Sequence, residues 1–150
     1  MIKDQIIQFL VMAIVGILFN PMNALAFKVD HLYFSLTLFY GGLLMASNMI
    51  WSHEVVHYLS MGHFSLSNFS IGIILSSFII LVFLRNQTFV DEKQWLLRMI
   101  PHHSTALTTT NKLKENLRIK KDKKLSKLAD DIIDTQEREI KLMKELLKKY

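Results

Sequence analysis

A chain of 150 residues holds one small domain, or a few membrane helices with a small domain attached, and no more. Half of its residues are hydrophobic, yet the charge is unevenly placed: residues 1–84 carry two basic and three acidic side chains, a net of −1, while residues 85–150 carry sixteen and ten, a net of +6. That asymmetry excludes one uniform globular core, and the absence of cysteine excludes disulfides, thiolate metal sites and thiol catalysis, leaving His, Met, carboxylate and amide side chains as available ligands.

The first uncharged run, residues 5–27, is rich in Ile, Leu, Val and Phe and long enough to cross a hydrocarbon core as a helix. Lys28, Val29 and Asp30 form a polar break, after which come a second uncharged run at 31–52 and a third stretch at 64–84 closed by Arg85. Three transmembrane helices are therefore expected within residues 1–85. In the second of them Gly41, Gly42, Ala46 and Ser47 are small enough to let helices approach closely. The N-terminus also reads as a signal peptide, with Lys3, an apolar stretch to Phe19 and Ala24-Leu25-Ala26 as a cleavage site; this reading leaves two spans, and the length of the uncharged run weighs against it. Lys28, Arg85, Lys93 and Arg98 fall on one side of the membrane against Lys3 on the other, which by the positive-inside rule places the C-terminal half in the cytoplasm.

No strong breaker interrupts the chain between Trp51 and Gly62, so the second helix is expected to continue, with Met45, Met49, His53, His57 and Met61 recurring every fourth residue along one face. Thioether and imidazole groups suit copper, particularly Cu(I), and Met49, His53, His57 and Met61 form a second candidate metal site. The plainer alternative is that the methionines are ordinary apolar residues and that His53, His57 and His63 mark the water boundary. His53-Glu54-Val55-Val56-His57 also matches H-E-x-x-H, in which two His one turn apart hold zinc and the Glu activates water. A membrane zinc metalloprotease would need a third ligand and a cleft, on a chain with almost no soluble domain.

From Asp91 to about Leu117, and from Asp122 to Lys149, apolar residues recur at helical spacing around the basic break at residues 118–121, predicting an antiparallel helical hairpin within residues 86–150. Asp91 and Asp122 are the expected N-caps, and Pro101 is expected to kink the first helix beside Met99, His102 and His103. In the second helix Gln136 and Glu139 interrupt the apolar stripe. With a turn near residue 120, equal helical rise sets Met99, His102 and His103 against Gln136, Glu139 and Met143, a set of soft and borderline ligands between two helices. The alternative is an ordinary interface in which one His hydrogen-bonds Gln136 or Glu139 and the two Met fill space. Nucleic acid is not an expected partner of the basic stretch from Lys112 to Lys127, which lacks aromatics and is interrupted by acidic residues; contact with lipid headgroups fits it better.

Met99-Ile100-Pro101-His102-His103-Ser104, followed by Leu128-Ala129-Asp130-Asp131-Ile132-Ile133 and Gln136-Glu137-Arg138-Glu139-Ile140 with Met143, resembles the domain of unknown function family 305 (DUF305), over about residues 90–149. The resemblance implies an all-α, ferritin-like hairpin domain, often exported or membrane-attached and outside the cytoplasm, with several members associated with copper and with no established enzymatic activity. By position, Met99, His102, His103, Gln136, Glu139 and Met143 fall on the family's motif. Thr108, Thr109 and Thr110 stand where more metal-rich relatives carry Met, which argues against a high copper capacity.

The sequence thus predicts a small multi-pass membrane protein, not an enzyme, that binds copper, with zinc as the alternative, through its hairpin. Its expected partners are the lipid bilayer, a metal-transport protein, or a second copy of itself completing a four-helix bundle. The resemblance places the hairpin outside the cytoplasm, against the positive-inside count.

Overall fold

The computed structural model describes residues 2–116 and 122–150; the turn expected at residues 118–121 lies outside them. All regular elements among the described residues are helical: α1 (Ile2–Leu18), α2 (Pro21–Ala24), a 3-10 turn (Val29–His31), α3 (Leu36–Met61), α4 (Leu66–Phe78), a π-helical turn (Ile79–Arg85), α5 (Glu92–Lys114) and α6 (Lys123–Leu147). They divide into two compact units, residues 1–20 with 36–90, and residues 21–35 with 91–150.

In the first unit α3 packs against both α1 and α4. Small residues make this possible. A Cβ on Gly42 would lie 2.5 Å from Ile17 Cγ1 and 2.9 Å from the Ala13 carbonyl, and one on Gly72 would lie 2.7 Å from the Trp51 nitrogen. Ala46 and Ser47 are fully buried, and Ser76 donates to Ser47 across the α3–α4 contact at 3.0 Å. Close approach through Gly42, Ala46 and Ser47 is as the sequence led us to expect; Gly41 takes no part, its nearest neighbour being Asn20 Nδ2 at 3.9 Å.

Among the described residues two helical stretches are long and apolar enough to cross a membrane, Gln5–Ala24 and Leu66–Arg85. The expected second span at 31–52 is not one of them. Its first residues are not helical with the rest, since α3 begins only at Leu36, and α3 continues to Met61, gathering His53, Glu54 and His57 besides Tyr40, Asn48 and Trp51. Such side chains lower the apolar content of the helix below that of its neighbours. The third expected span ends in a π-helical turn that nothing in the apolar pattern announces. Thr88 donates to the Val82 carbonyl and Gln87 to the Leu84 carbonyl at 2.6 Å, while Thr37 and Tyr40 of α3 donate to Gln87 and to the Thr88 carbonyl. Side chains therefore take up the carbonyls that the widened turn leaves, an arrangement that short-range periodicity cannot encode.

In the second unit α5 and α6 run antiparallel. Lys93 at the start of α5 donates to the Tyr150 carbonyl after α6 at 3.0 Å, and Lys114 at the end of α5 pairs with Asp130 near the start of α6. Between these ends Leu96, Ile100, Leu107, Ile140 and Met143 form the buried core, flanked by Tyr33, Met99, Ile133, Leu146 and Leu147. Asp91 caps α5 by accepting from the Gln94 N–H at 2.7 Å, and Asp122 caps α6 by accepting from the Lys124 and Leu125 N–H groups at 3.0 and 3.1 Å. Helix α5 runs through Pro101, which is buried. Residues 21–35 complete this unit. Thr105 donates to the Met22 carbonyl at 3.2 Å, Arg98 contacts the Met22 sulfur, and the Phe27 N–H donates to Ser104 Oγ at 2.7 Å.

Candidate functional site in the helical hairpin

The P-H-H-S stretch of α5 puts His102, His103 and Ser104 on three successive directions of one helical turn, and the neighbours of each differ accordingly. His103 turns toward α6. Its Nδ1 lies 3.0 Å from Glu139 Oε2, yet the two are not aligned as a hydrogen bond, and this nitrogen is buried without a hydrogen-bond partner. His102 is exposed, with its ring centroid 5.8 Å from that of His103. Partial burial, followed by the charges of Arg98 and His103, holds its imidazole below the usual pKa. Met143 is buried in the apolar core and Met99 packs against the same core. Gln136 is half-buried and makes no hydrogen bond to either imidazole. The structure thus joins His103 to Glu139 and Met99 to the core that holds Met143. In their present rotamers no three His, Asp or Glu side chains among the described residues are placed to hold a metal ion.

Ser104 does what its position in the motif does not reveal. It is fully buried, and its hydroxyl accepts from the Phe27 N–H and shares a second hydrogen bond with His31 Nδ1 at 2.8 Å. His31 is itself buried, at 5 % exposure, and burial followed by the Lys144 charge pushes its pKa down, with Asp30 opposing. Lys144 of α6 also pairs with Asp30, lowering the carboxyl's pKa through the hydrogen bond. His31, read from the sequence as the first residue of a span, is instead a fastening point between the 21–35 segment and the hairpin. No local pattern signals this, because its partners lie 73 residues along the chain. An open groove of about 660 Å³ runs beside it, walled by Lys28, Arg138, Lys141 and Lys144 against Asp30, Asp134 and Glu137. These charges nearly balance, so the groove does not select an ion of either sign.

The residues of the α3 ladder divide. Met49 and His53 line the same small cavity, whereas Met61 is 75 % exposed at the end of the helix. His53 and His57 stack with ring centroids 6.0 Å apart. Ser65 is the N-cap of the next helix, and Glu54, at 6 % exposure, braces it: its oxygens accept from the Ser65 N–H at 3.1 Å and from Asn68 Nδ2 at 2.9 Å. Both oxygens of the Glu in the H-E-x-x-H match are thus engaged at the turn into α4.

Residues 84–147 match the family described as Domain of unknown function (DUF305). A protein of Acanthamoeba polyphaga mimivirus, "Uncharacterized protein L153", is 31 % identical over 146 residues, covering 97 % of this chain and 92 % of the viral one. The chain belongs to the DUF305 family. The likeness to the viral protein extends over the apolar half as well as the hairpin. No solved structure matches the chain.

Proposed function

We propose that this DUF305 protein is a membrane-attached metal-binding protein whose hairpin takes up copper. One observation carries the reading: His103 Nδ1 is buried, unpaired by hydrogen bonds, and 3.0 Å from a Glu139 carboxylate oxygen. Glu139 is its ion-pair partner, and the same pair of atoms can instead be bridged by a metal ion. Two donor atoms ~3 Å apart are spaced as neighbouring ligands of one ion at metal–ligand bonds of ~2 Å. His102 adds a second imidazole within reach of a side-chain rotation. Met99 and Met143 supply thioethers on the adjoining apolar side, and soft thioether with imidazole favours copper over zinc. Gln136 is the remaining candidate ligand. The two apolar helices attach the chain to a lipid bilayer, and the resemblance to exported members supports a hairpin outside the cytoplasm, handling copper by itself or with a transport partner.

A second reading has its own support. Trp95, Leu128 and Leu142 of the hairpin are each more than half exposed, and a second copy covering them would complete a ferritin-like four-helix bundle. In that case the histidines are interface residues.

The two readings are separated by Cu(I) competition titration of the full-length chain in detergent, because residues 21–35 belong to the hairpin's own unit and a fragment beginning at residue 86 lacks them. The expected result is that His102→Ala with His103→Ala weakens Cu(I) binding by at least about tenfold, with Glu139→Gln acting in the same direction. Unchanged copper affinity together with loss of the oligomer in the histidine variant would favour the bundle.

A further inference from the structure

Chain reversal after α3 builds a cluster outside the family's matched region. Gly62 adopts a left-handed backbone at φ 71°, its N–H closes the helix on the Tyr58 carbonyl at 2.8 Å, and the chain turns back so that His63 lies beside His57. The His53 and His57 ring centroids are 6.0 Å apart and those of His57 and His63 5.6 Å. Two imidazoles bound to one tetrahedral ion through ~2.0 Å bonds hold their centroids ~5 Å apart, so small side-chain rotations separate the observed spacing from a ligating one. His53 and His63 are exposed and free to make them.

The tautomer of the central ring is fixed. His57 Nδ1 lies 3.1 Å from the His63 carbonyl oxygen, and a carbonyl only accepts, so Nδ1 must carry the proton and donate. In the neutral ring Nε2 is then the atom with the lone pair. An imidazole tied through Nδ1–H to a backbone carbonyl, with Nε2 presented outward, is the usual second-shell arrangement of a histidine metal ligand. Glu54, whose oxygens accept from Ser65 and Asn68 at the start of α4, adds rigidity to the turn.

We propose that His53, His57 and His63 form a second metal site, for a borderline divalent ion of the zinc class held by three imidazoles with water in the fourth position. Nitrogen-only ligation distinguishes it from the thioether-containing hairpin, and it replaces Met61, the stripe member at the far end of the helix, with a residue brought in by the turn.

The test uses the full-length chain in detergent micelles with His102→Ala and His103→Ala already present, so its outcome does not depend on the hairpin site. Zn²⁺ is titrated in competition with a chromophoric chelator. One Zn²⁺ per chain is expected, with affinity lowered at least about tenfold by His63→Ala and by His57→Ala and unmoved by Met61→Leu. Because His63 is exposed and beyond the helix, its variant keeps the parent's circular dichroism spectrum. Zinc binding that is equal in the parent and in His63→Ala, or no binding above a His53→Ala, His57→Ala, His63→Ala background, overturns the proposal.

Discussion

Two histidines of the hairpin unit have their pKa lowered by their surroundings, His31 by burial and the Lys144 charge, His102 by desolvation and the charges of Arg98 and His103. A histidine whose folded pKa lies below its unfolded value binds more protons when unfolded, so its contribution to stability is complete above the unfolded pKa and declines as pH falls through the folded one. The full-length protein is therefore expected to melt at progressively lower temperature as the pH drops from about 7.5 to about 5.5, across the ordinary imidazole range. His31→Asn is expected to lower stability at neutral pH, because the Ser104 hydroxyl loses its imidazole partner, and to flatten the dependence on pH. Thermal melts at several pH values check both effects, and a slope unchanged in the variant would deny His31 its part. The same residues show where sequence reading stops. Gln136 and Glu139 are visible as polar interruptions at helical spacing, and His102 and His103 as neighbours of Pro101, whereas His31 gains its role from a serine 73 residues away.

At the level of elements, the caps and the small residues carry the local structure, and both were legible. Asp91 and Asp122 begin their helices because a carboxylate there accepts N–H groups that have no intrahelical partner. Gly72 was not singled out, since a glycine in an apolar helix does not announce which neighbour it admits. Its Cβ would meet both the backbone nitrogen and Cβ of Trp51, at 2.7 and 2.8 Å, on a helix that cannot yield locally. Gly72→Ala is expected to destabilise the protein by ~1–3 kcal/mol through overpacking. Gly41→Ala, in a helix with open space beside it, is expected to be neutral or slightly stabilising. Denaturant unfolding of the two variants side by side tests this, and equal effects would show that the α3–α4 contact does not depend on the missing side chain.

For the whole molecule, charge and apolarity are segregated along the chain, but the two compact units are not simply its two halves. Residues 21–35 begin within the end of the first apolar stretch and pack with the hairpin, through Met22, Phe27 and His31 on the α5 face that carries Arg98, Ser104 and Thr105. Orientation is the property on which two sequence arguments oppose each other, the basic-residue count favouring a cytoplasmic hairpin and the family resemblance an external one. Because the chain has no cysteine, Lys127→Cys gives a single label site on an exposed position of α6. Reaction with a membrane-impermeant maleimide in intact cells is the expected result for an external hairpin, and labelling only after lysis assigns the hairpin to the cytoplasm.

Apolar runs, helical periodicity, caps and the paired motifs of the hairpin depend on residues close together in sequence, and the sequence alone determined the all-helical class, the antiparallel α5–α6 pair and membership of the DUF305 family. Tertiary structure alone decided that Glu54 accepts from Ser65 and Asn68 at the start of α4, that the chain widens into a π-helical turn at residues 79–85, and that His31 fastens to Ser104. Each of these turns on where a polar side chain finds its hydrogen-bond partner, and in a folded chain that partner is set by packing between elements rather than by spacing within one.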